Sequence, residues 1–270
     1  MNTTIQALTI AGFDSGGGAG LQADLKTFQE RMVFGTSVLT ALPIQNTQGV
    51  KSVYDIPLAA ISDQLEVIAE DFSIQAVKTG MLFTDEIIHL TADFLKKVDF
   101  GPLVIDPVMI AKSGHALLKD SAVKALIEEL LPLAAVVTPN IPEAEVITGM
   151  AITSKNAMME AGKKIQSLGV GNVVVKGGHH IEGNESADLL LLSTGGSEWL
   201  SAERIETKKT HGTGCTFSAC ITAELAKGVS VEQAVRTAKA FIQAAISDSI
   251  DVGHGNGPTN HWAYRKVEQS

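Results

Sequence analysis

Short apolar runs alternate with amphipathic segments along most of the chain. The runs are rich in Val, Ile, Leu and Ala and are mostly continuous, which is typical of strands covered on both faces. The segments between them repeat apolar residues at helical spacing. The pattern predicts strands over residues 7–11, 37–41, 76–79, 103–106, 135–138 and 172–176, and helices over residues 19–31, 59–70, 85–97, 121–131, 142–148 and 155–168.

The pattern changes after residue 176. Residues 188–192 and 199–205 look like antiparallel strands, and two further helices are predicted over residues 215–227 and 231–250. The sequence contains no internal repeat and no obvious linker, so we predict one domain over residues 1–270. Alternating strands and helices indicate a doubly wound α/β fold with a mainly parallel sheet. In such sheets, ligands bind beyond the carboxyl ends of the strands.

Composition narrows the class of protein. The chain has 270 residues, of which 45% are hydrophobic and 19% charged, which is enough for a core and argues against disorder. A net charge of −9 argues against nucleic acid or an anionic membrane as a partner. No apolar run has the length of a membrane span, and the first residues lack the features of a signal peptide. We therefore expect a cytoplasmic protein that acts on small molecules.

The most informative segment is residues 208–217, which places two glycines and three hydroxyls before a predicted buried helix. Free N–H groups and the positive end of the helix dipole make such a start an anion site. Cys215 lies where those N–H groups would lower the pKa of a thiol, so it could serve as a base or nucleophile. A packed cysteine at a glycine-rich helix start is an equally good interpretation of this segment alone. Cys220 lies five residues further along the same predicted helix, a separation and direction poorly suited to a disulfide.

Other polar residues follow the predicted strands. A glycine-rich loop follows the first strand, but it has neither the Walker nor the dinucleotide-binding spacing, and Asp24 one turn later could be an ordinary helix carboxylate. Asn140 and Glu143 have the spacing of a helix-capping pair. Next to Asp106, at the end of the neighbouring strand, they could instead form a magnesium site. Lys176 ends a buried strand, where phosphate would be a suitable partner.

Together these motifs resemble the hydroxymethylpyrimidine and phosphomethylpyrimidine kinases of the ribokinase-like superfamily. The resemblance runs from residue 8 to residue 258, and the order and spacing of the motifs make it specific. The motifs are GGGAG at residues 16–20, QADLKT at 22–27, QNT at 45–47, KTGM at 78–81, DPVM at 106–109, KSG at 112–114, TPN at 138–140 with Glu143, KGGH at 176–179 and HGTGCT at 211–216.

The resemblance implies ATP-dependent phosphorylation of a pyrimidine hydroxymethyl group and then of the resulting monophosphate. It implies that Gln45 and Asp24 hydrogen-bond the aminopyrimidine, and that Gly12, Met81 and Val108 form the pocket walls. Gly212, Thr213 and Gly214 would present N–H groups to the transferred phosphate, and Cys215 would be the base. Mg²⁺ would be organised by Asp106, Asn140 and Glu143. ATP would be bound by Lys176, Asn140, Thr213, Gly214 and Lys112, the last in a loop over residues 109–114 that resembles a mobile flap over the site. A homodimer is expected from the same resemblance.

Two rival functions remain at this stage. A pyridoxine or pyridoxal kinase has the same architecture and phosphorylates a hydroxymethyl group on a pyridine ring. A catalytically silent pyrimidine-binding protein would keep the pocket, although the presence of Asp106, Lys176 and Cys215 argues against it. A nucleotide-binding oxidoreductase is disfavoured because no dinucleotide fingerprint follows a strand.

Overall fold

The computed structural model describes residues 4–109, 118–178 and 185–268. The strands are β1 (Gln6–Ala11), β2 (Phe34–Leu39), β3 (Ala41–Asn46), β4 (Gly49–Asp55), β5 (Ala76–Thr79), β6 (Leu103–Ile105), β7 (Val136–Val137), β8 (Asn172–Val175), β9 (Glu185–Leu192) and β10 (Gly196–Glu203). The α-helices are α1 (Gly20–Glu30), α2 (Leu58–Asp71), α3 (Asp85–Lys97), α4 (Asp120–Ala125), α5 (Ile141–Thr148), α6 (Lys155–Gln166), α7 (Thr213–Ala226), α8 (Val231–Ser247) and α9 (Ala263–Glu268).

Eight strands form the main sheet, in the order β2-β1-β5-β6-β7-β8-β9-β10. The first six are parallel, and β9 and β10 add to the edge as an antiparallel pair. One face packs against α2 to α6 and the other against α1, α7 and α8, which explains why the central strands are continuous apolar runs. The predicted fold class is confirmed.

Helix α7 positions the site. Its residues from Thr216 to Ala226 are all buried, and it lies on β1, β5 and β6. Its N-terminus therefore meets the edge of the sheet where the parallel strands end, which is where α/β sheets bind ligands.

The structure differs from the predicted elements in the region after β2. The predicted strand over residues 37–41 is the end of β2 plus the first residue of β3, because β3 and β4 form a separate antiparallel hairpin. Pro43 within β3 and the exposed or half-exposed residues along β4 leave no apolar run for the pattern to detect.

Three helices also differ. The helix predicted over residues 121–131 is α4 followed by a π-helical turn (Leu126–Leu130) and a 3₁₀ turn (Leu131–Leu133), where Pro132 ends the regular hydrogen bonding. Helix α8 stops at Ser247, and the short α9 was not predicted. No helix in the described ranges is long and apolar enough to cross a membrane.

Candidate active site

The N-terminus of α7 is built on a glycine that no other residue could replace. Gly212 has φ 81°, and a Cβ added there would lie 1.7 Å from the carbonyl oxygen of Gly18 in the glycine loop (residues 12–20). The next N–H groups of the helix, those of Gly214 and Cys215, have no acceptor within the helix. The predicted anion hole at this helix start therefore has the required backbone shape.

Asp106 and Lys176 lie directly against this helix start. The Nζ atom of Lys176 is 3.4 Å from Oδ1 of Asp106, and Ser218 Oγ is 3.4 Å from Oδ2. A Cβ added to Gly214 would lie 3.3 Å from Lys176 Nζ and 3.4 Å from Asp106 Oδ2, so glycine gives both groups room. A cation and a carboxylate thus stand beside the free N–H groups.

Asn140 and Glu143 form the capping box of α5. Asn140 Oδ1 accepts from the Glu143 N–H at 2.9 Å, and Glu143 Oε2 accepts from the Asn140 N–H at 2.9 Å. Glu143 is buried, and its Oε1 also accepts from the Met109 N–H at 3.3 Å. Burial and the Asp106 charge raise the pKa of Glu143 to about 7, although Lys176 and the two N–H bonds oppose the rise.

The raised pKa of Glu143, next to the Asp106 carboxylate, fits a site that gains a cation. Lys176 already supplies one positive charge, and burial of its ammonium is outweighed by Asp106 and Glu143, which raise the Lys176 pKa. Within the described residues no three His, Cys, Asp or Glu side chains converge as a preformed metal cluster. Oxygen ligands of this kind suit Mg²⁺, which keeps several waters and also binds substrate phosphates.

Cys215 differs from the sequence expectation. Burial raises the pKa of its thiol to about 12, and the charges of Asp24 and Asp106 add to the rise, while Lys78 and the Gly20 N–H oppose it. The predicted lowering of the Cys215 pKa is therefore wrong for the protein without ligands, because burial of the thiol outweighs the opposing effects of Lys78 and the Gly20 N–H.

Asp24 has a buried lysine as its partner. Its side chain and that of Lys78 are both fully buried, with Oδ2 of Asp24 2.9 Å from Lys78 Nζ and 2.6 Å from Thr9 Oγ1. Burial disfavours both charges, but Asp24 and the neighbouring Cys215 and Asp106 raise the Lys78 pKa and favour an ion pair. Oδ2 of Asp24 is thus taken up by the buried lysine and Thr9, whereas its Oδ1 has no hydrogen-bond partner among the described residues. The predicted contact of Asp24 with the pyrimidine stays a prediction.

A cavity of about 450 Å³ opens in front of α7. Its inner end is lined by Asp106, Asn140, Glu143, Lys176 and residues 212–215. Its outer end lies between the antiparallel edge of the sheet and α8, where apolar side chains alternate with a buried ion pair of Lys239 and Asp188 at 2.8 Å. The outer lining comprises Ser186, Asp188, Glu203, Arg204, Ile205, Phe217, Lys239, Ile242, Gln243 and Ile246.

The residues predicted to hold the acceptor lie outside this lining: Gly12 follows β1, Met81 follows β5 and Gln45 is in β3 of the hairpin. Gly12 packs on Met81, since a Cβ at Gly12 would be 2.6 Å from Met81 Cε. Gln45 is half-buried at a register shift in β3, the kind of irregularity that redirects a side chain, and its side-chain amide bonds no described residue. Val108, with φ 44°, lines the cavity.

Comparison with known proteins gives the family. The model of the phosphomethylpyrimidine kinase family matches residues 14–260. The hydroxymethylpyrimidine/phosphomethylpyrimidine kinase of Haemophilus influenzae is 55% identical over 99% of this chain and 100% of its own. The chain belongs to the phosphomethylpyrimidine kinase family.

Solved structures agree with this family and its ribokinase-like fold. A Bacillus subtilis pyridoxal kinase in an ADP complex has 43% identity and a TM-score of 0.90, over 98% of this chain and 100% of that one. The phosphomethylpyrimidine kinase of Clostridium difficile has 45% identity and a TM-score of 0.80, over 90% of this chain and 100% of that one. Kinases named for two different rings thus resemble this chain to a similar degree, so its preferred ring has to be inferred from the acceptor residues.

The predicted site residues form two groups, one that lines the cavity and one that does not. Asp106, Val108, Asn140, Glu143, Lys176 and residues 212–215 line the cavity. The cavity lining does not include Gly12, Asp24, Gln45 or Met81. Lys112 falls outside the described residues.

Sequence reasoning missed the outer part of the cavity. Lys239 had a detectable signal, because it lies on the apolar stripe of α8 beside Val235, Ala238 and Ile242. A lysine on such a stripe calls for a buried partner. The partner, Asp188, could not be chosen from the sequence because it is 51 residues away.

Proposed function

We propose that the chain is an ATP-dependent kinase of one domain that phosphorylates 4-amino-5-hydroxymethyl-2-methylpyrimidine and then its monophosphate, in thiamine biosynthesis. The observation that carries the proposal is the glycine-rich start of α7, which faces Asp106 and Lys176 at the inner end of a cavity of about 450 Å³. The family match supports the reaction, and the ADP complex of the Bacillus subtilis relative supports ATP as the donor.

ATP would lie along the cavity. The apolar outer end between β10 and α8 suits a base, and the inner end supplies the positive charge and N–H groups that phosphates need. Lys176 and the N–H group of Gly214 would bind phosphate oxygens, with Asn140 beside them. The predicted N–H of Thr213 already donates to the Thr210 carbonyl oxygen at 3.4 Å, so it would have to exchange that partner for phosphate. Gly212 and Gly214 would hold the backbone of the anion hole in shape, which stabilises charge that develops during transfer.

Asp106 and Glu143, with Asn140, would hold Mg²⁺ directly or through water. Bound there, Mg²⁺ would neutralise phosphate charge during transfer. Glu143 would serve this role in its ionised form, which the pKa of about 7 makes available near neutral pH.

Cys215 would take the proton of the acceptor hydroxyl. The hydroxyl oxygen then bonds to the γ-phosphorus of ATP, and the bond between the γ-phosphorus and the oxygen that bridges to the β-phosphate breaks. A thiol with a pKa of about 12 is neutral at pH 7, so Cys215 must lose its proton in the complex before it can act as a base. Lys78, which opposes the rise in the thiol pKa, would stabilise the thiolate.

The acceptor would lie under the hairpin, between Gln45, Gly12, Met81 and Val108. The amide of Gln45 offers both a donor and an acceptor, which match an exocyclic amino group next to a ring nitrogen. A site built to pair with polar atoms rejects an analogue that lacks them. Pyridoxal kinase activity is the second candidate, because of the likeness to the Bacillus subtilis enzyme.

The test compares kcat/KM for hydroxymethylpyrimidine, its monophosphate, pyridoxine and pyridoxal. We expect the two pyrimidines to have the higher kcat/KM. Gln45→Met should lower kcat/KM for the pyrimidines by the equivalent of one hydrogen bond, about 1–3 kcal/mol, and should hardly change any activity on pyridoxine. A kcat/KM for pyridoxal equal to or above that for hydroxymethylpyrimidine would favour the second candidate.

A homodimer is part of the proposal. The hairpin exposes Val50, Val53 and Tyr54, which are 59%, 40% and 60% exposed, and a two-stranded ribbon is at best marginally stable alone. Burial of this ribbon against a second copy would supply the missing contacts. Light scattering at micromolar concentration measures the mass, and a species of 28.4 kDa would contradict the dimer.

A further inference from the structure

A buried carboxylate, Asp14, holds the glycine loop in shape. Its Oδ1 accepts a hydrogen bond from the Gly16 N–H at 2.8 Å, and its Oδ2 accepts from the N–H groups of Gly18 at 2.9 Å and Ala19 at 2.7 Å. The residue is 1% exposed, so these three donors depend on the carboxylate rather than on water. One side chain therefore determines the path of the loop.

The same carboxylate contacts the residue that precedes the anion hole. Oδ2 of Asp14 lies 2.8 Å from Nε2 of His211. Burial opposes ionisation of Asp14, but the hydrogen bond and charge of His211 and the loop N–H groups together lower its pKa. The His211 ring also packs on Gly18, where an added Cβ would meet His211 Cδ2 at 2.8 Å, and Gly212 rests on the Gly18 carbonyl.

The neighbouring residue attaches the loop to the acceptor side. Ser15 Oγ accepts from the Gln45 N–H at 2.8 Å and donates to the Gln45 carbonyl oxygen. Gly16 lies against the backbone of the next hairpin residue, with an added Cβ 3.5 Å from Asn46 Cα. Two consecutive side chains, Asp14 and Ser15, thus join the anion hole and the acceptor hairpin to one loop.

We propose that the Asp14–His211 pair is a positioning element for phosphoryl transfer, which fixes the anion hole relative to the hairpin that holds the acceptor. The proposal rests on the proposed function, because that function assigns the acceptor to Gln45 and the phosphate to residues 212–214. Neither Asp14 nor His211 reacts in this account.

The consequence is a specific loss of transfer to the pyrimidine. An acceptor oxygen has to meet the γ-phosphorus at a set distance and angle, and a misplacement of about 1 Å can cost about 10²-fold in rate. Water can approach the same phosphorus without help from the hairpin. Loosening the loop should therefore slow transfer to the pyrimidine more than ATP hydrolysis.

The test measures, in the full-length enzyme with Mg²⁺ and ATP, the rate of pyrimidine phosphate formation divided by the rate of ATP hydrolysis. This ratio does not depend on the fraction of enzyme that is folded, so a merely structural role would leave it unchanged. His211→Leu removes the contact to Asp14, whereas His211→Gln keeps an N–H that can reach the carboxylate. We expect a fall of about 10- to 100-fold for leucine and recovery of most of it for glutamine.

Two further variants complete the test. His89→Leu is the matched control, because His89 forms an exposed pair with Glu129 at 2.8 Å, and the ratio should stay at the wild-type value. Ser15→Ala removes an exposed hydroxyl, so we expect it to fold, and it should lower the ratio through the other end of the loop.

The proposal is overturned if His211→Leu leaves the ratio unchanged, or if glutamine is as impaired as leucine. If His211→Leu does not fold, an unchanged ratio in Ser15→Ala overturns it. Failure of the proposed function looks different, since the wild-type enzyme itself would then form no pyrimidine phosphate.

Discussion

Glu143→Gln should change how the stability of the protein depends on pH. The folded pKa of Glu143 is about 7, against an ordinary value of 4.5, so the folded state holds a proton that the unfolded chain releases. The stabilisation from this proton is complete below pH ~4.5 and is lost as the pH rises through ~7. Linkage gives a loss of about 2.5 kcal/mol in the free energy of unfolding between pH ~5 and pH ~8.

Glutamine removes the titration but keeps one carbonyl for the cap. Glu143 accepts from two N–H groups, those of Asn140 and Met109, and an amide oxygen facing the same pair satisfies one of them. The lost bond costs about 1 kcal/mol at every pH, so it shifts the stability of the variant without changing the shape of its pH curve. The difference between wild type and variant should therefore move by about 2.5 kcal/mol in favour of glutamine from pH ~5 to pH ~8.

Urea unfolding across this pH range, without Mg²⁺ or nucleotide, measures the difference. Glu145→Gln is the matched control, because Glu145 is on the same helix and also accepts a backbone N–H, from Ile152 at 2.7 Å. Its curve should keep the wild-type shape, since Glu143 is intact.

In kinetic assays the Mg²⁺ concentration for half-maximal rate should fall in wild type as the pH rises through ~7, and it should stay high in Glu143→Gln. Parallel stability curves for wild type and Glu143→Gln would refute the reasoning.

Two other predictions concern the start of α7. Cys215→Ala should lower kcat by about 10²–10⁴ with little loss of stability, whereas Cys220→Ala should leave turnover nearly intact; equal effects would remove the base assignment. In the free enzyme the alkylation rate of Cys215 should keep rising up to pH ~10, because its pKa is about 12. Gly212→Ala should unfold the protein at a lower temperature, since its methyl would meet a backbone carbonyl at 1.7 Å. Gly214→Ala should keep the melting temperature but raise KM for ATP; the opposite pattern would contradict the placement of the two glycines.

The sequence by itself determined the fold class, the burial of the sheet on both faces and the residues at the inner end of the site. Parallel strands that are buried on both faces have to be continuous apolar runs, and their carboxyl ends have to share one edge, so Asp106, Asn140 and Lys176 could be placed together from their positions after strands. The capping spacing of Asn140 and Glu143 is also local, and the structure has that box.

Only the tertiary structure decided which charges are buried together. Asp24 looks like an exposed helix residue until Lys78, 54 residues away, is seen to face it across the interior. The thiol of Cys215 looks activated by its helix until burial of the site is known, because desolvation depends on every element packed around it. The β3–β4 hairpin and the contact between Asp14 and His211, 197 residues apart, were invisible for the same reason. Spacing along the chain reports on one helix or strand, whereas pairing between distant residues is fixed only when the layers pack.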